Sequence, residues 1–179
     1  MALPAFTIDN LMEVRTATER TISFRYAGNP PAQQRPRLAS MTRFRQPRRH
    51  PQWYDPDARL KAAFRAALTA AKEELGMGPM PFSRPPSGLE LTIMFVLPRP
   101  RNDFDRDGNI FTLKENCSNT PLVKDIDNMC HFFMDALQRV LYMNDNIVDA
   151  VNLRKRYPDD NLYGTAGWAD ISVMSRLDE

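Results

Sequence analysis

The apolar segment at residues 89–97, LELTIMFVL, constrains the fold more than any other part of the sequence. Its odd-numbered side chains form one apolar face, and Met94 and Val96 make the opposite face largely apolar as well. A strand that is apolar on both faces is typical of the interior of a sheet. The segment therefore predicts a central strand, and it is too short to span a membrane.

Two helical patterns flank this strand. The first covers residues 55–78, with Asp55 as its N-cap and a glycine after its last turn. The second begins near Asp127 and runs to about Leu141. The apolar stripe of the first helix consists of Leu60, Ala63, Phe64, Ala67, Leu68, Ala71 and Leu75, whereas Arg59, Lys61, Arg65, Lys72 and Glu73 lie on its other faces.

Further strands are predicted at residues 21–28, 146–157 and 168–176. The order is strand, helix, strand, helix, strand, strand. It predicts a two-layer α/β domain of the α+β type, with two helices packed on one face of a small sheet of about four strands. Residues 1–19 are interpreted as an N-terminal extension, and residues 20–179 as a single domain.

The composition excludes several classes of protein. Two cysteines are too few for a disulfide framework, and two histidines make a zinc site of the usual Cys/His type improbable. The first residues include Asp9, Glu13 and Glu19 and lack the basic start of a secretion signal. We expect an intracellular protein, in the cytoplasm or nucleoid, or in the nucleus or an organelle of a eukaryote.

The basic residues are unevenly distributed. Residues 20–54 contain eight arginines and no acidic residue, so all 22 acidic side chains lie outside this segment. Guanidinium groups match phosphate oxygens bidentately, which favours a surface that binds a polyanion such as nucleic acid. A solvated basic loop is the alternative, because the part of the segment after the predicted strand at 21–28 has neither strand nor helix periodicity and contains Pro36, Pro47 and Pro51.

Three aspartates are candidates for chemistry. Asp125 and Asp127 lie two residues apart, just before the second helix, and Asp145 precedes the next strand. Asp127 is explained equally well as a helix cap, but capping does not explain Asp125 or Asp145. A cluster of carboxylates is what Mg²⁺ needs, and without a cation such a cluster repels itself.

A second acidic motif, DFDRDGNIFTLK from Asp103, lies in a region that we interpret as a polar loop at residues 98–122. It resembles a calcium-binding loop at its first six positions, but Lys114 stands where a bidentate Glu is required. A solvated Asp/Gly loop is therefore the favoured interpretation. A cation-binding interaction module that uses residues 103–107 is the alternative.

The histidines differ in their surroundings. His50 lies among the arginines, whereas His131 lies four residues after Asp127, on the same face of the predicted helix. A structural His131 would bridge the carboxylates of Asp127 and Asp135. A functional His131 would face a scissile phosphate.

Several motifs occur together in this chain. KDIDN at 124–128, DAL at 135–137 and ND at 144–145 follow one another, and the N-terminal half contains GNPPAQQRPR and then YDPDARLKAAF. In this combination the chain resembles the RusA-like family of Holliday junction resolvases over about residues 20–175.

The resemblance implies that Asp125, Asp127 and Asp145 bind a catalytic metal, usually Mg²⁺ with Mn²⁺ as a substitute. Two positions depart from the family pattern, which has a lysine at His131 and an acid at Asn144. Asn144 is tolerated, because the second acid of that pair is the one matched to catalysis. A histidine is only partly cationic near neutrality, so His131 implies weaker or more pH-dependent catalysis.

The resemblance also implies an activity and partners. It implies a metal-dependent endodeoxyribonuclease that resolves four-way DNA junctions by paired nicking in DNA recombination and repair, acting as a homodimer with two active sites. The residues expected to contact the DNA backbone are Arg35, Arg37, Arg43, Arg45, Lys124, Arg154, Lys155 and Arg156. The alternative is a catalytically weak or inactive protein of the same fold that binds branched DNA.

Overall fold

The structure is a computed structural model of the chain. It describes residues 12–17, 21–34, 37–38, 53–82 and 88–176. Within these ranges, no helix is long and apolar enough to cross a membrane.

Nine strands and two helices follow one another along the described residues. They are β1 (Met12–Ala17), β2 (Thr21–Ala27), β3 (Arg37–Leu38), β4 (Trp53–Tyr54), α1 (Ala58–Glu74), β5 (Leu89–Val96), β6 (Phe104–Asp107), β7 (Ile110–Leu113), α2 (Ile126–Leu137), β8 (Val148–Arg156) and β9 (Trp168–Ser175). All four strands and both helices predicted from the sequence are present, with ends that differ by a few residues.

The centre of the fold is a five-stranded sheet with the strand order β1-β2-β9-β5-β8. β5 and β8 are parallel, and the other neighbours are antiparallel. Both helices cover the same face, because the ring of Tyr26 in β2 lies 5.9 Å from that of Phe64 in α1 and 5.5 Å from that of Phe133 in α2. The predicted fold class is confirmed, and β5 lies inside the sheet. The additional strand is β1, which the sequence pattern did not reveal.

Alternation of side chains explains why β2 has a core face. Ile22, Phe24 and Tyr26 are buried towards the helices, whereas Ser23 and Arg25 are only partly buried. Because successive side chains of a strand point to opposite faces, one apolar series is enough to bury one face of the sheet. On the opposite face of β2, Arg25 donates to both carboxylate oxygens of Asp170 at 2.7 and 2.8 Å.

The unit β5-α2-β8 sets the geometry of the site. Because two parallel neighbours need a crossover connection, α2 runs antiparallel to both strands. The beginning of β8 pairs with the beginning of β5, at Val148 and Leu89. At the other end of β8, Lys155 Nζ donates to the carbonyl of Lys124, directly before α2. The N-terminus of α2 therefore lies at the ends of β5 and β8, and its C-terminus lies at their beginnings.

Both helices begin at positions other than those predicted. Asp57, rather than Asp55, is the N-cap residue of α1, and Asp125, rather than Asp127, is that of α2. Neither side chain makes a capping hydrogen bond. The prediction that Leu75 belongs to the buried stripe is also wrong: it follows the last turn of α1 and is 48% exposed.

Two lysines that the pattern placed on the polar faces of α1 are buried. Lys61 Nζ lies 2.9 Å from Asp135 Oδ2 and 3.0 Å from Asp55 Oδ2. Lys72 Nζ donates to the carbonyl of Val140 at 3.0 Å. The pattern was wrong because one partner of each ammonium, Asp135 for Lys61 and the Val140 carbonyl for Lys72, comes from a distant part of the chain.

The region interpreted as a polar loop contains a hairpin of β6 and β7. Gly108 and Asn109 form its two-residue turn, and Gly108 has a φ of 60°, which glycine adopts at little cost. The ring of Phe111 in β7 stacks on that of Tyr163 at 3.9 Å. The loop prediction is therefore corrected for residues 104–113.

Candidate metal and DNA-binding site

Two exposed carboxylates lie together at the N-terminus of α2. Asp125 precedes the first helical residue, and Asp127 lies in the first turn. Among the described residues, no lysine, arginine or histidine forms an ion pair with either side chain. The structure therefore brings these two candidates to one place and leaves their oxygens available.

The capping interpretation does not explain these acids. Asp125 occupies the N-cap position without a side-chain capping bond, and Asp127 is a helical residue. The side-chain amide of Asn128 lies 3.4 Å from Asp125 Oδ2, at the long end of the hydrogen-bond range. The sequence analysis gave Asn128 no role, although its spacing of three residues from Asp125 is a signal for such a contact.

Asp145 lies at the opposite end of α2. It begins a short 3₁₀ turn, Asp145–Ile147, which leads into β8, and its side chain is exposed. The beginning of β8 is the end of the strand that is remote from Lys124. A helix of 12 residues is roughly 18 Å long at about 1.5 Å per residue. Within one chain, the structure therefore does not bring Asp145 to the pair formed by Asp125 and Asp127.

The charges of Asp127 and Asp145 act on two different buried side chains. Burial, and then the charge of Asp127, raises the pKa of the Cys130 thiol to about 11. Burial, and then the charge of Asp145, raises the pKa of Tyr142, whose hydroxyl donates to the carbonyl of Met134 at 3.1 Å. Asp127 therefore acts on the first half of α2, and Asp145 acts near its C-terminal end.

His131 is exposed on α2, one turn after Asp127. Its side chain makes no hydrogen bond or ion pair with any other described residue. The carboxylate of Asp135, its other predicted neighbour, is bound by Lys61 and by the side-chain amide of Gln33 at 2.9 Å each. The structure therefore does not show the carboxylate bridge that a structural histidine would form.

The aspartate pair fits the chemistry of Mg²⁺ in its donor atoms. This ion takes hard oxygen ligands and is usually held by one or two carboxylates, with water and substrate phosphates completing its shell. In the described part of the chain, no group of three or more His, Cys, Asp or Glu side chains is arranged to hold a metal. A single chain therefore offers two of the three expected ligands at one point.

The candidate DNA-binding residues of the C-terminal half differ in their freedom to bind phosphate. Arg154 is exposed and has no ion-pair partner among the residues described. Arg156 pairs with Asp159, and Lys155 Nζ donates to the carbonyl of Lys124 at 3.0 Å. Burial lowers the pKa of Lys124. Of these four cations, Arg154 is the one that the structure leaves open to solvent and unpaired.

The candidates in the arginine-rich segment are mostly outside the described residues. This applies to Arg35, Arg43 and Arg45, whereas Arg37 lies in β3, paired with Tyr54 of β4. Gln34 directly precedes Arg35, and its backbone N–H donates to Asp57 Oδ2 at 2.7 Å. The described residues before the segment are thus held against the N-terminus of α1.

The calcium-loop alternative is not supported by the arrangement of its acids. Asp103 pairs with Arg99 at 3.6 Å, and Asp105 pairs with Lys114 at 3.8 Å. Asp105 and Asp107 lie in strand β6 rather than in a loop that wraps around an ion. The hairpin and the cationic partners account for these residues without a metal.

Comparison with known proteins identifies the family. The model of the family described as endodeoxyribonuclease RusA matches residues 27–163, which include both acids of the pair, His131 and Asp145. No curated protein sequence matches the chain. The matched region covers the parallel strands β5 and β8, both helices and the hairpin. The chain therefore belongs to the RusA family of endodeoxyribonucleases, nucleases that act on branched DNA junctions.

Proposed function

We propose that the chain is a Mg²⁺-dependent, structure-selective endodeoxyribonuclease that resolves four-way DNA junctions by paired nicking in recombination and repair, with Mn²⁺ as a substitute ion. The observation that carries this proposal is the pair Asp125 and Asp127, two exposed carboxylates that no described cation neutralises. Like charges so close together repel, and a divalent cation relieves that repulsion. Membership of a nuclease family supplies the class of reaction.

Each residue of the site has a role in this proposal. Asp125 and Asp127 supply oxygen ligands, and a bound Mg²⁺ would polarise a phosphoryl oxygen, lower the pKa of a water and stabilise the leaving oxygen. His131 lies one turn further along the exposed face of α2, where its side chain would face the scissile phosphate. Arg154 binds a backbone phosphate and fixes the position of the DNA without reading its sequence.

Asp145 takes part through a second copy of the chain. Mg²⁺ binds its ligands at about 2.1 Å, whereas roughly the length of α2 separates Asp145 from the aspartate pair. A homodimer in which the two copies lie antiparallel about a two-fold axis brings the Asp145 end of one copy to the Asp125 end of the other. Two-fold symmetry then produces two equal sites, as paired nicking requires.

β8 is the surface that suits such a homodimer. It is the last strand of the sheet and has no strand on its outer side in the described part of the chain. Antiparallel pairing of two copies of β8 would bring the beginning of each strand beside the end of the other. Asp145 lies just before the first residue of β8. Lys155 lies near the last residue of β8 and contacts Lys124, which is next to Asp125. Val151, near the middle of β8, is 42% exposed and provides an apolar contact.

A nicking assay on a labelled, immobile four-way junction tests the nuclease proposal. We expect paired, symmetric nicks with Mg²⁺ or Mn²⁺, and none with EDTA. Asp127→Asn should abolish cleavage but leave junction binding nearly intact. Asp107→Asn is the matched control, because Asp107 is an exposed acid on the hairpin with no role in the proposal. Equal loss of cleavage in both variants would contradict the assignment of the metal site.

The same assay measures the consequence of His131. We expect His131→Lys to increase cleavage more at about pH 8 than at about pH 6, because a lysine is charged at both values and a histidine is not. Tight, salt-sensitive junction binding without nicks in any metal would instead identify a binding protein that has lost turnover.

A further inference from the structure

Lys124, the residue before Asp125, has an unusual backbone conformation. Its φ is 60°, in the left-handed region that residues other than glycine and asparagine rarely adopt. Such a conformation costs about 1–3 kcal/mol and persists only where the surroundings fix it. The contacts of Lys124 therefore show what holds the chain in this position.

Lys124 is held from two sides. Its ammonium donates to Asn29 Oδ1 at 2.9 Å and to the carbonyl of Pro30, both in the loop that follows β2. Its own carbonyl accepts a hydrogen bond from Lys155 Nζ, at the end of β8, at 3.0 Å. One residue thus joins the β2 loop, the start of α2 and the edge of the sheet.

These contacts differ from those of a lysine that binds DNA. A contact with DNA phosphate needs a cationic side chain that is exposed to solvent, as Arg154 is. The side chain of Lys124 is only partly exposed, and its donors are directed at oxygens of the protein. Lys155 likewise directs its ammonium at the protein. Both lysines therefore act on the backbone beside Asp125.

We propose that Lys124 is a positioning residue, which together with Lys155 fixes the direction in which Asp125 leaves the backbone and so presents the Asp125 and Asp127 carboxylates to one cation. Asp125 has an extended conformation, with φ −72° and ψ 132°, immediately before the helix that carries Asp127. These two torsions join the peptide held by Lys155 to α2, so a shift of that peptide would turn the Asp125 side chain relative to that of Asp127. This inference rests on the proposed metal site.

Mn²⁺ affinity, measured by calorimetry on the full chain without DNA, tests the inference. We expect Lys124→Met to weaken Mn²⁺ binding by about tenfold or more, as is typical when a group that orients a metal ligand is removed. Lys72→Met is the matched control. Like Lys124, Lys72 donates to a backbone carbonyl, that of Val140, but it is buried and lies on α1. This substitution should lower the melting temperature as well, but leave Mn²⁺ affinity unchanged.

The salt dependence of junction binding separates positioning from DNA contact. Loss of one phosphate contact lowers the slope of log K against log salt concentration by about one. We expect Arg154→Ala to show this decrease and Lys124→Met to leave the slope unchanged. A lower slope with unchanged Mn²⁺ affinity in Lys124→Met would overturn the inference and make Lys124 a DNA contact.

One further variant distinguishes this inference from the proposed function. If Asp127→Asn loses Mn²⁺ binding and Lys124→Met does not, the metal site stands and the positioning role is refuted. If the wild-type chain binds no Mn²⁺, both proposals are refuted together.

Discussion

Two pairs of aspartates differ in whether a cation neutralises them. Asp55 and Asp135 neutralise the buried Lys61, and burial, which alone would lower the pKa of that lysine, is outweighed by their hydrogen bonds, so the pKa is raised. Asp125 and Asp127 have no such cation among the described residues, although they lie close together. Unpaired like charges that lie close together are common at functional sites, because they serve the function although they do not stabilise the fold.

The two cysteines should differ in reactivity because their surroundings differ. Cys130 is 5% exposed, and its raised pKa of about 11 keeps it a neutral thiol at about pH 8. Cys117 is partly exposed and lies 3.6 Å from Arg99 Nη1. We expect a thiol reagent to modify Cys117 quickly and Cys130 only after unfolding.

Absorbance with a chromogenic disulfide reagent, in native buffer and then in denaturant, checks this prediction. The expected result is one fast thiol in the native protein and a second on addition of denaturant. Cys117→Ser serves as the control and should remove the fast phase. Two fast thiols in the native protein would mean that Cys130 is not enclosed by α2 and the sheet.

At the scale of elements, Lys61 joins α1 to α2. Its ammonium binds the acid before α1 and the acid near the end of α2, and its side chain is 4% exposed. We expect Lys61→Met to lower the free energy of unfolding by about 1–3 kcal/mol, as is typical for loss of a buried hydrogen-bonding group with charged partners. Asp55 and Asp135 are partly exposed, so water replaces some of what they lose.

Urea denaturation followed by circular dichroism measures this difference. Arg59→Met is the control, since Arg59 is exposed on the same helix and should change the free energy of unfolding by less than about 0.5 kcal/mol. Equal effects of the two substitutions would show that Lys61 contributes nothing beyond an ordinary surface residue.

The elements also show what the sequence could and could not predict. Periodicity was sufficient for α1, α2 and the inner strands, because each buries one continuous apolar stripe or face. It failed for Lys61 and Lys72, since one hydrogen-bond partner of each lies 74 or 68 residues away in the sequence. The hairpin was predictable in principle, because Gly108-Asn109 between two short strands is a turn signal, but the spacing of its acids suggested a calcium loop.

The candidate site was predicted in part for a similar reason. Asp125 and Asp127 are two residues apart in the sequence, so they are neighbours in any fold of the chain. The distance to Asp145 depends on the course of α2 between two parallel strands, which the motif alone does not specify. The role of Lys124 depends on a contact with the β2 loop, 95 residues away for Asn29, and no local signal indicates it.

At the scale of the whole molecule, the central claim is that two copies share each metal site. One copy would supply Asp125 and Asp127, and the other would supply Asp145. This arrangement makes a prediction that a site within one chain does not make. Two inactive variants, one without the aspartate pair and one without Asp145, should restore one intact site when they form a mixed dimer.

The most direct measurement is junction nicking by an equal mixture of Asp125→Asn/Asp127→Asn and Asp145→Asn, after dissociation and reassociation of the dimers. Each variant alone should be inactive. The mixture should regain about a quarter of the wild-type sites, and these should produce single rather than paired nicks, because each mixed dimer has one intact site. A mixture as inactive as its components, beside a wild-type protein that nicks normally, would contradict the shared site.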